Sequence, residues 1–299
     1  MEVSGGMRIG TFGSCLSRWT ADKLRWSFGG EIITCVYHNR SDQFLDYFVE
    51  KTAPEPSYRD LLSICDLPDV EAPEEFSEQN ILKNQCRPAL GKHRLSLGSE
   101  FLDAILQEKL DVLLMDNFMD ASAELALYED GNRRVKLFTR RRMSGLKRLG
   151  KLGPEEAARN YERIIKFVKS ASPKTKIIFN VFPYNTYPDA VARKVWTERF
   201  EETFRPKGAT VIPHVTVPKD HFGDSHSHFK NHYYFVYAGM AYQAITRETP
   251  RTLLSQSLLN AFKSTPLIGR LKRKRLFVSD AITLAGFIPW VDQLPIGVI

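Results

Sequence analysis

The stretch Arg8-Ile9-Gly10-Thr11-Phe12-Gly13-Ser14-Cys15-Leu16-Ser17 decides the reading of this chain: a short apolar run stops at a glycine, and two nucleophile-capable side chains open the next segment. A strand that ends on glycine and feeds a helix delivers those side chains to the helix N-terminus. Free backbone N–H groups and the positive dipole end gather there and stabilise an anion, either a thiolate or a developing oxyanion. A serine in that place can also serve only as the helix cap. The rest of the chain has to decide between active-site elbow and cap.

Apolar runs of strand length recur at 7–12, at Glu31-Ile-Ile-Thr-Cys-Val-Tyr37, at Asp111-Val-Leu-Leu-Met-Asp116, at 175–181 and at 208–212. Helical patterns lie between them. The clearest covers 154–170, where Pro154-Glu155-Glu156 opens a segment that sets Ala157, Tyr161, Ile164, Ile165 and Val168 on one face. Others fall at 16–28, 98–109, 189–204 and 232–247. Continuous apolar strands alternating with helices predict an α/β fold of three layers, α/β/α, around a mainly parallel sheet of about five strands. Chemistry in such folds gathers at the carboxyl ends of the strands.

The α/β domain is expected over 1–250, with two interruptions. Residues 53–97, rich in proline and acidic residues, read as an irregular insertion with short helices that could act as a lid. Residues 121–150 read as a hairpin around Asp130-Gly131-Asn132 followed by a basic loop. A basic and apolar extension follows over 251–299; it could pack on the domain, join a dimer, or touch a membrane surface through 270–299.

With 299 residues, 43% hydrophobic and 26% charged, the composition is that of an ordinary globular protein. No apolar run reaches membrane-spanning length and no signal-peptide core opens the chain, so a cytoplasmic protein is expected, with peripheral contact at the inner membrane face left open. The four cysteines are too dispersed for a disulfide scaffold. The net charge of +7 is concentrated at Arg133-Arg134, Arg140-Arg141-Arg142 with Lys147 and Arg148, and Arg270–Arg275. Without a nucleic-acid-binding pattern beside them, these clusters point to an anionic substrate or surface and not to nucleic acid.

Five of the seven histidines lie between His214 and His232, after the last predicted strand. That loop shares a sheet edge with the Gly13 elbow. A nucleophile needs a general base within hydrogen-bond reach, and the base needs an acceptor to fix its tautomer; a loop holding both Asp and His supplies the pair. A rival reading takes Asp224, His226, His228 and His232 as metal ligands of a hydrolase, although no second histidine-rich segment exists to complete a binuclear site. Phosphate-loop and dinucleotide fingerprints are absent.

Together these blocks resemble the SGNH (GDSL-type) hydrolase superfamily, and within it the bacterial, polysaccharide-associated subgroup whose first block reads Gly-Ser-Cys. Gly13-Ser14-Cys15-Leu16-Ser17 is similar to the first block, Asp111–Asn117 to the third, and His228 with Tyr233-Tyr234 to the last. Tyr37-His-Asn-Arg40-Ser41, Asn160-Tyr161 and Phe179-Asn-Val-Phe-Pro183-Tyr-Asn185 agree further. The resemblance implies an esterase or acyltransferase acting on an acyl ester of a glycan or glycan precursor, with no cofactor and no metal. Cys15 stands at the nucleophile position, with Ser14 as the alternative one residue away. His228 is then the base, His226 and Asp220 are reserves, Asp224 orients the base, and Asn117 donates to the oxyanion. Arg40 and Ser41, with Asn185 and His226, are assigned to substrate binding. A non-catalytic glycan- or membrane-associated protein of the same fold is the other reading that the sequence allows. The oligomeric state is left open.

Overall fold

The computed structural model describes residues 6–69, 77–131 and 133–246. The expected extension at 251–299 and part of the 53–97 insertion lie outside the described residues. Among the described residues there are eight strands: β1 (Arg8–Gly13), β2 (Glu31–Tyr37), β3 (Val112–Asp116), β4 (Ala126–Asp130), β5 (Arg133–Leu137), β6 (Leu146–Arg148), β7 (Lys176–Asn180) and β8 (Ala209–Ile212). Five of them form one sheet in the order β2-β1-β3-β7-β8. Every pairing in it is parallel. The expected α/β/α fold with a five-stranded parallel sheet is the fold observed.

Period-two alternation along the strands sends side chains to two cores. Phe12, Leu113, Met115, Ile177 and Phe179 point to one face, under the helices Phe101–Leu106, Pro154–Ala171 and Ala190–Thr203. Ile9, Val112, Leu114 and Ile178 point to the other, under the helices Cys15–Phe28 and Tyr234–Thr246. Because both faces are covered, the strands are mainly apolar. After β1 the chain crosses to β2 on one side, and β3 returns on the other. The elbow at the end of β1 therefore sits where the strand order reverses, the crevice in which open α/β sheets bind ligands.

The two interruptions form a second, smaller layer. β4 and β5 make the expected hairpin and β6 adds a third antiparallel strand. Helices Tyr58–Ile64 and Glu78–Lys83 pack on it through Leu61, Leu82, Val135 and Leu137. Residues 84–99 run along the open edge of β2: Cys35 N donates to Gly91 O at 2.5 Å, Ser99 N to Ile33 O at 2.8 Å, and Tyr37 N to Asn84 Oδ1 at 2.8 Å. This part of the insertion shields an edge strand. Residues 41–49, to which no element was assigned from the sequence, form one helical turn continued by a π-helical turn, Leu45–Val49. No helix among the described residues is long and apolar enough to cross a membrane.

Candidate active site

Construction of the site begins at the contact between Gly13 and Asp116, the last residues of adjacent strands. Asp116 is fully buried, and its Oδ2 accepts from Ser14 N (2.9 Å), Ser14 Oγ (3.1 Å), Ser17 N (3.0 Å) and Ser17 Oγ (2.6 Å). Its Oδ1 accepts from Phe118 N at 3.1 Å. One carboxylate thus answers N–H groups at the first turn of one helix and caps the start of the next. Burial pushes the Asp116 pKa up, and the Ser17 hydroxyl and the backbone donors oppose that rise. From the other side, Tyr161 donates its hydroxyl to Asp116 O at 3.0 Å, and Asn160 donates to Ser41 Oγ at 3.1 Å.

The elbow assigns different work to its two candidate nucleophiles. Ser14 is the N-cap of Cys15–Phe28: its Oγ accepts from Leu16 N at 3.1 Å while donating to Asp116. Cys15, the first helical residue, turns its Sγ to His228 Nε2 at 3.2 Å and to the Tyr37 hydroxyl at 2.5 Å. With the Ser14, Leu16 and Ser17 N–H groups engaged, the Cys15 N–H is the one at the first turn for which no acceptor is recorded among the described residues.

His228 arrives on a loop fixed by its own backbone. Phe222 and Phe229 form an antiparallel bridge, Gly223 N donates to His228 O at 2.9 Å, and His228 N to Ser225 O at 3.1 Å. A side chain at Gly223 would stand 2.7 Å from His228 O, so the turn needs glycine. Phe229 anchors the loop in the core against Phe182 and the Tyr233, Tyr234 and Tyr237 rings, and donates its N–H to the Tyr234 hydroxyl at 3.2 Å. Upstream, Asn185 clamps Val217 through both of its backbone groups, at 2.7 and 3.0 Å.

The half-buried His228 ring holds Asp224 Oδ1 at 2.7 Å through Nδ1. Its pKa is pushed up to about 9, first by the hydrogen bond to Cys15, against burial, and then by the Cys15 and Asp224 charges. The hydrogen bond to His228 in turn holds the Asp224 carboxyl below its usual range. At 84% exposure that carboxylate is screened by water and steers the ring more than it charges it. Burial, with the Cys15 charge next, keeps Tyr37 a neutral phenol. A neutral phenol can donate its hydroxyl hydrogen to the Cys15 sulfur or accept one from it.

The other residues singled out in the sequence are placed elsewhere. Asn117 is buried and its Oδ1 accepts from Phe182 N at 2.8 Å, so the amide NH2 is the end left to donate. Arg40 does not face a substrate. It is 2% exposed, with Nε and Nη2 on the Asp42 carboxylate and Nη1 on Ala123 O and Gly150 O. Ser41 is fully buried, its N–H donating to Asp120 Oδ1. Asn185 is occupied by Val217. His226 lays its ring against Tyr187 at 4.7 Å and gives its carbonyl to Thr186 Oγ1. His232 Nε2 meets His221 Nδ1 at 2.7 Å. The histidines thus turn to separate partners, and no group of three metal-ligating side chains occurs among the described residues. Tyr37 and Asp116 were quoted in the resembling blocks without a site role. Their positions as the last residues of β2 and β3 were the signal that could have found them.

No family model matches the chain, and no curated protein matches it in sequence. Among solved structures it is similar to a chain published under the words "The active site of a carbohydrate esterase displays divergent catalytic and non-catalytic binding functions". That likeness covers 83% of this chain and 67% of the other at 9% identity, with a TM-score of 0.35. A likeness of that size carries no argument about activity or site.

Proposed function

We propose that this protein is a thiol-dependent enzyme of acyl esters, an esterase or acyltransferase in which Cys15 is the nucleophile. The observation that carries the reading is the linear set Cys15 Sγ, His228 Nε2 (3.2 Å), His228 Nδ1, Asp224 Oδ1 (2.7 Å), at the switch point of the sheet. Cys15 Sγ attacks the ester carbonyl, forming a C–S bond while the carbonyl oxygen takes the electron pair. The Cys15 N–H and the Asn117 amide are the proposed donors to that oxyanion. Collapse breaks the C–O bond, and the His228 imidazolium gives its proton to the departing alcohol. The second hydroxyl, of water or of an acceptor, is then deprotonated by His228 as it attacks the thioester and releases the thiolate. Asp224 orients the ring and Tyr37 holds the sulfur. A glycan or glycan precursor is the proposed alcohol component, on the strength of the resembling sequence blocks.

The test is turnover of an activated acyl ester followed by intact-mass measurement. Cys15→Ala is expected to abolish both turnover and the acyl adduct. Ser14→Ala is expected to retain measurable adduct with a lower melting temperature, since it removes a cap worth about 1 kcal/mol. Loss of the adduct in Ser14→Ala alone would overturn the assignment, and no adduct in the wild type would favour a non-catalytic protein.

A further inference from the structure

A cavity near the Cys15 site takes no part in that chemistry. It offers about 520 Å³ between the end of the helix Phe118–Ser122 and the segment that leads from β5 through β6. Clefts of that size hold small ligands. Its walls are fixed from behind by arginines that face no ligand. Arg40 holds Ala123 O at 3.3 Å and Gly150 O at 2.8 Å, tying the Ser122–Glu124 wall to the one that carries Lys151. Arg148 places Nη1 on Thr139 O at 2.9 Å and Nη2 on Arg141 O. The shape is therefore built by hydrogen bonds within the chain.

The charge of the lining is one-sided: Arg142, Arg148 and Lys151 bring three cations against one carboxylate, Glu124. Carbonyls alone answer Arg148. Arg142 and Lys151 are exposed, and among the described residues neither forms a salt bridge or a side-chain hydrogen bond. Cations that share a cavity repel one another, and an anion placed among them relieves that repulsion and gains charge-assisted hydrogen bonds. Phe138, Met143 and Leu146 add apolar surface beside these charges, the mixture that suits a sugar ring with its C–H faces and hydroxyl rim. Two connections link the cavity to the reacting sulfur. Cys15 Sγ meets the Tyr37 hydroxyl, the Tyr37 ring meets His38 at 4.2 Å, and His38 stacks on Phe138 at 5.5 Å. Asn117, the proposed oxyanion donor, opens the short helix that ends at Ser122, a span of about 8 Å. The cavity thus lies along the carboxyl edge of the sheet that carries Cys15.

We propose that this cavity is a subsite for an anionic sugar unit, whose carboxylate or phosphate oxygens are bound by Arg142 and Lys151 while the acyl ester on a neighbouring unit reaches Cys15. This rests on Cys15 being the reacting atom of an acyl-ester enzyme, and it makes the glycan an anionic oligosaccharide. Glu124 accepts from the sugar hydroxyls, and the Phe138 and Leu146 side chains lie against the ring.

Calorimetric titration of the full chain tests the subsite without requiring turnover, because the probes carry no ester. Trigalacturonate supplies carboxylates, glucose 1-phosphate a phosphate, and maltotriose neither. The wild type is expected to bind at least one anionic probe, and to bind maltotriose about tenfold more weakly or not at all. Whichever anion binds identifies the group. Arg142→Gln combined with Lys151→Gln should weaken that binding about tenfold. Lys147→Gln removes an exposed cation of the same cluster that does not line the cavity, and the affinity should stay that of the wild type. Glu124→Gln takes away the opposing charge and should tighten binding a few-fold, a gain that misfolding cannot imitate. Binding of neither anion, equal affinity for maltotriose, equal affinity in the wild type and the double variant, an equal loss in Lys147→Gln, or weaker binding in Glu124→Gln would overturn the subsite. Anion binding that the double variant loses, in a protein whose Cys15 takes no acyl group, would refute the acyl-transfer reading and leave the subsite standing. Acylation of Cys15 without anion binding would do the reverse.

Discussion

Gly13 has no room for a side chain, because a Cβ there would stand 2.5 Å from Asp116 Oδ2, and its φ of 154° is one that other residues rarely adopt. Gly13→Ala should therefore destabilise the protein by about 1–3 kcal/mol, read as a lower melting temperature, and displace the elbow that carries Cys15. At Asp224 the effect is on pH dependence. With the His228 pKa raised to about 9, the proton that it passes to the leaving alcohol is lost as pH rises through that value, so turnover should fall there. Asp224→Asn removes one of the causes of that rise, and the alkaline limb of the pH–rate profile should move to lower pH. An unmoved limb would show that Asp224 does not act on the ring. The sign for stability is the same: a raised histidine contributes fully below its ordinary value of about 6.5 and ceases to contribute as pH passes 9. At this scale the sequence made Cys15, His228 and Asp224 visible through residue type and order, and the structure brings these three together. The role of Asp116 was not visible, because it depends on contact across 102 residues with Ser14. Arg40 misled for another reason: arginine is ordinarily exposed, and nothing in the spacing showed that Asp42 and two carbonyls would enclose it.

The decisive element is the loop from β8 to the helix Tyr234–Thr246. It carries His228 between two short 3-10 turns, Lys219–His221 and Asn231–Tyr233, and the Asn185 clamp and the Phe229 anchor tie it to the rest of the domain. Asn185→Ala leaves both Val217 groups without partners and should cost about 1–3 kcal/mol. Turnover should drop while the overall circular dichroism spectrum stays that of the wild type; unchanged turnover would show that the loop holds its shape without the clamp. The parallel strands were legible because burial of most of their length leaves short, mainly apolar runs. The helix expected over 98–109 shortens to Phe101–Leu106, where Glu100 caps Asp103 N and Glu108 adopts a φ of 51° that helices exclude. Residues 41–49 escaped notice because a π turn follows neither the 3.6 nor the two-residue period.

For the molecule as a whole, the strand order places Cys15, Tyr37 and Asn117 at the carboxyl ends of three adjacent strands, in the crevice between β1 and β3. Of the basic clusters that suggested an anionic partner, Arg270–Arg275 lies outside the described residues, and several arginines of the clusters at 133–148 are answered from within. Arg133 pairs with Asp60, Arg140 with Glu78, Arg141 with the carbonyls of Cys65 and Asp66, and Arg148 with those of Thr139 and Arg141. They tie the antiparallel layer to its helices, which residue counts along the chain could not reveal. The account as a whole rests on a covalent bond at one atom. Peptide mass spectrometry after brief mixing of the wild-type protein with an activated acyl ester tests this most directly. The account predicts one acyl group on Cys15, absent in His228→Ala; an acyl group on Ser14, or none on the peptide that holds both, would contradict it.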